Sequence, residues 1–269
     1  MNNLLGYARR AALALAWLAA IGTPIWFLVA AFGTKMALLD WRVGFGLMTY
    51  RWGSNILIAA LAIGLVALGL VIYERVRGGR SSGGILAPVL AILVGAAGIG
   101  YGMYVRAAAS DIPPIHDITT DTQDPPGFTE ALIRRRGPDA NPVDYDAKTD
   151  PRTGEPLPAV QAEAYPDIAP IRLSVSPETA YETAIEVGRN MGWRLTTASD
   201  DELMFEATAE TFWYGFEDDI SVRVRPDGSG GSVVDARSVS RVGQSDLGAN
   251  ADRLRRFSER LRDRVGAAD

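Results

Sequence analysis

Three long apolar runs open the chain, Ala11 to Phe32, Ile56 to Tyr73 and Ile85 to Val105, each close to the ~20 residues needed to cross the hydrocarbon core of a bilayer. None has an ionisable residue in its interior. That argues against a transporter or channel, because ion pathways place charged side chains at membrane depth. The first run follows Arg9 and Arg10 as a secretory signal would, but it exceeds the usual signal core of about 7 to 15 residues. It also continues through Pro24, Trp26 and Phe27 without a small-residue cleavage site, so a retained helix is predicted, kinked at Pro24.

The pattern changes beyond Val105. Residues 106–170 are rich in proline and aspartate, and a connection of this length is functional, disordered or a linker. Its first part, IHDITTDTQDPPGF, mixes Ile115, Ile118 and Phe128 with prolines and predicts a docking segment. TEALIRRR predicts a short helix, and NPVDYDAKTDPRTGEPLPAV reads as an exposed loop.

From Ile168 the periods become regular. Ile171, Leu173 and Val175 alternate with Arg172 and Ser174, the period of a half-buried strand. Ser176 and Pro177 mark a helix start with Glu178 in its first turn, and Gly192 marks its stop. Strands follow over Trp193 to Thr197 and Leu203 to Thr211. A hairpin then joins Ile220, Val222 and Val224 through PDGSGG to Ser232–Arg241. A last helix carries Leu247, Ala251, Leu254, Phe257, Leu261 and Val265 in one stripe, with Asp246 or Asn250 as its cap.

The predicted fold class is therefore α+β: three transmembrane α-helices, then a soluble β-α-β-β-β-β-α domain whose antiparallel sheet carries two helices on one face. The expected division is an anchor over 1–110, a proline-rich connection over 111–167 and a compact domain over 168–269. The sheet face left bare would hold Arg223, Arg225, Arg237 and Arg241, with Glu206 and Glu210 on a neighbouring strand. The docking segment Ile115–Phe128 is expected to lie over that face or along its edge, bringing Asp117 and Asp121 to the arginines.

Charge sharpens the picture. Up to Val105 eight basic residues face two acidic ones; beyond it 19 basic face 30 acidic. An acidic soluble half lacks the basic footprint that nucleic-acid binding requires. Arg9 and Arg10 share a side with Arg75, Arg77 and Arg80, against Lys35, Arg42, Arg51 and Arg106 on the other. By the preference of Lys and Arg for the cytoplasm this places the N-terminus inside and the C-terminal domain in the periplasm of an inner (cytoplasmic) membrane, multi-pass. Small residues at four-residue spacing, Ala60 with Gly64, Ala87 with Ala91 and Gly95, and Gly98 with Gly102, allow close helix approach within one bundle or in a homo-oligomer. The loop after the first run, with Trp41, Phe45, Tyr50 and Trp52, suits a helix lying in the headgroup region.

Candidate chemistry is sparse. With no cysteine there are no disulfides and no thiolate sites. Asp117, Asp121 and Asp124 do not match a calcium loop, and the single histidine, His116, lacks recognisable co-ligands. No metal or cofactor is expected, and His116 reads as a polar residue fixing a turn. The residues singled out for ligand binding are Asp117, Asp219, Arg223, Arg237, Arg241 and Asp246. An enzymatic site would lie among Asp218, Asp219, Arg237, Arg241, Ser245 and Asp246, with carboxylates as acid and base and arginines holding an anion. Against it, Asp–Arg pairs on strands are usually cross-strand ion pairs.

The strings IHDITTD, then DPP and Phe128, then GFEDDISVRVRP and VDARSVSRVGQSDLGANADRLRRF, resemble the bacterial family catalogued as domain of unknown function 1499, over about Ile115 to Leu261. The resemblance implies that the IHDITTD segment belongs with the later domain and that Asp139–Pro166 is a variable insertion. It supplies no activity, and the three membrane runs lie outside it. The functional expectation is a membrane-anchored envelope module that binds a partner protein, lipid or glycan, the alternative being an envelope enzyme.

Overall fold

The computed structural model describes residues 2–77 and 84–265; Arg80, counted above for orientation, lies outside them. The chain divides into two compact units, residues 1–110 together with Phe212–Gly215, and residues 111–211 together with 216–269.

In the first unit, α1 (Asn2–Lys35) is followed by a π-helix (Arg42–Arg51), α2 (Gly53–Val76) and α3 (Leu86–Ala108). All three α-helices are long and apolar enough to cross a membrane, as the apolar runs predicted. Ala60, Gly64, Ala87, Ala91 and Gly95 are buried in this bundle. A Cβ on Gly64 would stand 2.8 Å from the Pro88 carbonyl oxygen, and one on Gly95 2.8 Å from that of Leu57. The small-residue row thus lets α2 and α3 of one chain approach closely, whereas Gly102 has nothing within 4 Å. Arg9 pairs with Glu74 at 2.6 Å. The aromatic loop forms the π-helix, and Trp26 of α1 donates its indole N–H to the Met48 carbonyl at 3.0 Å.

The second unit begins with β1 (Asp117–Thr119), α4 (Glu130–Arg136) and α5 (Leu157–Ala164). It continues with β2 (Ile171–Leu173), α6 (Pro177–Asn190), β3 (Arg194–Ser199), β4 (Met204–Glu210), β5 (Glu217–Pro226), β6 (Ser232–Ser240) and α7 (Ala249–Val265). Strands β3 to β6 form an antiparallel meander, and the outer edge of β6 is shared by two short strands. There β2 pairs with Ser232–Val234, while β1 pairs with Arg237–Val239. The six-stranded sheet with its helices is the expected α+β architecture; α4 is the short helix predicted from TEALIRRR, and β1 and α5 are added ahead of the predicted elements.

Local chemistry sets the boundaries. The Ser176 hydroxyl accepts from the Thr179 N–H and Pro177 occupies the first turn of α6. Gly192 stops that helix at φ +80°, a conformation that costs a residue without Cβ little. Asp246 caps α7, one carboxylate oxygen accepting from Gly248 N and the other from Asn250 N, both at 2.8 Å.

The apolar core lies between the sheet and the α6/α7 pair. Phe205, Ala207, Ile220, Val222, Val224, Val234 and Ala236 meet Ala180, Tyr181, Ala184 and Val187 of α6 and Ala251, Leu254, Phe257 and Leu261 of α7. Phe257 stacks on Trp193 at a centroid distance of 5.0 Å. The predicted stripe holds except at Leu247. That residue precedes the helix at φ +55° and is exposed, because the capping turn at Asp246 swings it off the helical face.

A second correction concerns residues 141–160, read as an exposed loop. Tyr145, Asp150, Leu157 and Val160 are buried. Prolines and aspartates gave this stretch a loop composition, but its few apolar residues are spaced to reach the sheet, and Leu157 and Val160 share one face of α5.

A charged layer as the candidate functional site

Alternation along β5 and β6 sends Ile220, Val222, Val234 and Ala236 to the helices and Asp219, Ser221, Arg223, Arg225, Asp235, Arg237 and Arg241 to the opposite face. The segment running from β1 through α4 lies over that face: within the expected Ile115–Phe128 stretch Asp121, Asp124 and Gly127 meet Arg225, Arg223 and Ser221, and beyond it Arg136 of α4 reaches Asp219. Bare cations beneath such a cover would be costly, and each is met by a carboxylate.

Asp117, at the edge in β1, receives the Arg237 guanidinium through both oxygens, from Nε at 2.9 Å and Nη2 at 2.8 Å, and it also receives Lys148 Nζ. Arg237 donates further to the carbonyls of Pro126 and Val143. Its guanidinium lies over the rings of Phe128 and Tyr145, 5.2 and 5.4 Å from their centroids, and such stacking favours arginine over lysine. Burial alone would raise the Asp117 pKa, but Arg237 and Lys148 hold it below the usual carboxylate value. Lys148 is pulled below its ordinary value by burial in spite of Asp117. Tyr145 donates to Gln161 Oε1 at 2.8 Å, and the Gln161 amide pairs with both backbone groups of Thr119. A side chain thereby satisfies the open edge of β1.

A second cluster centres on Asp219. Arg241 binds it bidentately at 2.8 Å, Arg136 from α4 donates at 2.7 Å and the Thr208 hydroxyl at 2.8 Å. Burial works to raise the Asp219 pKa, and these donors, Arg241 foremost, hold it below the usual value. Arg241 also pairs with Glu217. Between the clusters, buried Glu206 accepts from the backbone N–H and hydroxyl of Thr129, the residue that caps α4. A third cluster holds Asp235 with Arg225 at 2.6 Å and Arg223 at 3.3 Å. These arginines reach Asp121 and Asp124 of the covering segment. This end is the open one: the side chains of Arg225 and Asp124 are 42% and 66% exposed.

Of the residues singled out from sequence, Asp117 and Arg237 meet in one cluster, Asp219 and Arg241 in the next, and Arg223 lies in the third. Asp246 stands apart at the α7 cap, where burial pushes its pKa up to about 6. The enzymatic set does not converge. Asp218 points to the helix face and binds Arg253 at 2.5 Å, opposite to Asp219, because neighbours on a strand face opposite ways. Ser245 Oγ accepts from Leu247 N in the capping turn. Arg136, Lys148, Tyr145 and Gln161 belong to the layer and were not singled out. The only signal for them was charge or polarity within otherwise loop-like stretches.

A cleft of about 140 Å³ opens beside the first cluster, lined by Pro114, Ile115, His116, Asp117, Lys148, Thr149, Pro151, Leu157 and Gln244. His116 Nδ1 lies 3.2 Å from the Gln244 carbonyl oxygen and Nε2 is buried without a hydrogen-bond partner. Since a carbonyl only accepts, Nδ1 carries the proton; burial and then Lys148 keep the ring pKa below its ordinary value. The His116 carbonyl accepts from Ser240 N and Asn250 Nδ2, so this residue ties β6 to α7. Among the described residues no group of three or more His, Asp or Glu side chains is placed to hold a metal.

Among curated proteins none matches the chain. The family model described as "Protein of unknown function (DUF1499)" matches residues 117–261. These bounds run from the first residue of β1 to the last turn of α7, and so take in the charged layer together with the helix-covered core. The chain is a member of the DUF1499 family.

Proposed function

We propose that this protein is a membrane-anchored module of the bacterial cell envelope that binds a partner, protein, lipid or glycan, through its second unit. In this reading the three apolar helices form a multi-pass anchor in the inner membrane, the N-terminus is cytoplasmic and the second unit is periplasmic. The observation that carries it is the commitment of the charged groups. The arginine forks that would clasp an anionic substrate clasp Asp117 and Asp219 instead, and a carboxylate held between two cations is a poor general base. The open end, with Arg223, Arg225, Asp121 and Asp124, is left as the surface where a partner's polar groups exchange with the chain's own. Asp117, Asp219, Arg237 and Arg241 shape that surface from beneath, and Asp246 fixes the neighbouring helix. A homo-oligomer would use small residues that the bundle leaves open, such as Gly100 and Gly102.

A photo-crosslinking residue at position 124 of the full chain, in cells, tests this. A discrete adduct that disappears with Arg223→Ala is expected, and labelling no stronger than from exposed position 259 on α7 would defeat the assignment. A reporter active only in the cytoplasm, fused after Asp269, should stay silent; strong activity reverses the orientation. An envelope enzyme is the second reading, and the observation on its side is the cleft beside Asp117. Turnover lost in His116→Asn with unchanged thermal unfolding would favour it.

A further inference from the structure

The two long hairpin turns of the sheet differ in chemistry. The β5–β6 turn is Pro226-Asp227-Gly228-Ser229-Gly230-Gly231, whereas the β4–β5 connection carries Phe212-Trp213-Tyr214-Gly215, three aromatic residues at the tip of a hairpin. Thr211 N donates to the Phe216 carbonyl and Phe216 N to the Thr211 hydroxyl, closing the base of the hairpin and pushing the four tip residues out. Phe212 and Trp213 are 67% and 54% exposed.

These four residues group with the apolar helices. Phe32, in the last turn of α1, meets the rings of Phe212 and Trp213 edge-on at 6.4 and 5.9 Å. Lys35 donates to the Phe212 carbonyl at 3.0 Å and lies over its ring. Tyr214 meets Phe45 at 5.2 Å and its hydroxyl lies 2.7 Å from that of Thr49. Gly215, at φ +68°, passes so close to α1 that a Cβ would stand 3.1 Å from Lys35 Cα.

The level of this cluster follows from helix length. The uncharged stretch Ala11–Thr34 spans about 36 Å at 1.5 Å per residue, against a hydrocarbon core of about 30 Å. The Phe32–Lys35 turn therefore falls at the headgroup boundary, where Trp and Tyr rings settle and a lysine stem reaches for water. We propose that Phe212–Tyr214 is an interfacial lipid anchor, the exposed faces of Phe212 and Trp213 immersed in the headgroup region of the bilayer that α1 enters. The inference rests on the membrane anchoring proposed above and not on partner binding.

The chain has no cysteine, so a single environment-sensitive fluorophore at Trp213→Cys in the full protein, reconstituted in phosphatidylcholine/phosphatidylglycerol nanodiscs, reports this site alone. Leu65→Cys, mid-way along α2, and Ser229→Cys, in the polar turn, are the references. A blue-shifted emission at 213 is expected, quenched more by lipid spin-labelled near the headgroup than by lipid labelled deep in the chain. Position 65 should show the reverse preference and position 229 no quenching. Emission at 213 matching that at 229 overturns the inference. Blue-shifted emission that neither lipid quenches also overturns it, identifying a protein contact instead. Loss of quenching at 65 removes the membrane reading and this inference with it. If Trp213→Cys does not fold, Phe212→Cys carries the same readout.

Discussion

Successive residues of β5 and β6 alternate between two buried environments built on different physics. On one face Ile220, Val222, Val224, Val234 and Ala236 pack on α6 and α7; on the other Asp219, Asp235 and Arg237 are as deeply buried but are held by ion pairs. Apolar burial is non-directional, so the first face needs only volume in roughly the right place. Charge burial is directional and costly when a partner is missing. The second face therefore depends on named residues from distant positions: Asp117, Asp121, Thr129 and Arg136 from the covering segment, and Lys148 from the stretch that follows it. The difference teaches that the covering segment is a structural component of the sheet as much as either helix.

Breaking each face in turn tests the contrast. Phe257→Ala should have the largest effect, a loss of about 4 kcal/mol in chemical denaturation, from the transfer and cavity costs of a fully buried ring that stacks on Trp193. A loss below about 1 kcal/mol would mean that the site collapses without penalty. Asp219→Ala should cost about 3 kcal/mol, because it strands Arg136 and Arg241 beneath the cover, with Arg241 retaining Glu217. Hydrogen exchange should locate this loss over α4 and β5 while α6 stays protected; uniform deprotection would erase the distinction between the faces.

Arg237→Lys sharpens the charged side. It keeps the charge yet loses the two-oxygen fork to Asp117 and the stacking on Phe128 and Tyr145, so about 2 kcal/mol should be lost. Equal stability would show that point charge alone suffices.

Acid should act on the charged face first. Asp117 and Asp219 have folded-state pKa values below their ordinary 3.8. Their stabilisation is complete above that value and is lost as pH falls through the lower folded values. Asp246 acts with the opposite sign: its folded pKa of about 6 exceeds 3.8, so protonation between these values favours the folded state slightly. His116, held below its ordinary 6.5 by burial, opposes this, since the unfolded state takes up its proton first as pH falls. A pH series of thermal unfolding should drop below 3.8, less so in Asp219→Asn, and any decline between about pH 6 and 4 should be smaller in His116→Asn. A drop in the acid range that Asp219→Asn leaves unchanged would contradict this balance.

The smallest effect belongs to the exposed pair Arg264–Glu186. Arg264→Ala should cost less than about 1 kcal/mol, since solvent screens such pairs, and a larger loss would show that exposure does not govern ion-pair strength here.

The amino-acid sequence by itself determined the three apolar helices, the seven elements from Ile171 onward and the assignment of residues to sheet faces. Those features follow from local periods of 3.6 and 2, from caps such as Ser176 and from stops such as Gly192. It also brought the Ile115–Phe128 segment to the charged face, because unpaired arginines on one side and aspartates among prolines on the other complement each other. Only the tertiary structure decided which charges meet. Arg136, Lys148 and Gln161 lie in stretches whose composition resembles solvated loop, and no local period ties them to Asp219, Asp117 or Thr119. The separation of Asp218 from Asp219 was implicit in strand alternation, but two adjacent acidic residues read as one feature until their partners, Arg253 on α7 and Arg241 on β6, are seen to approach from opposite sides. Apolar positions announce themselves by periodicity because any apolar neighbour will serve. An ion pair is a match between two particular residues, and only the path of the chain brings them together.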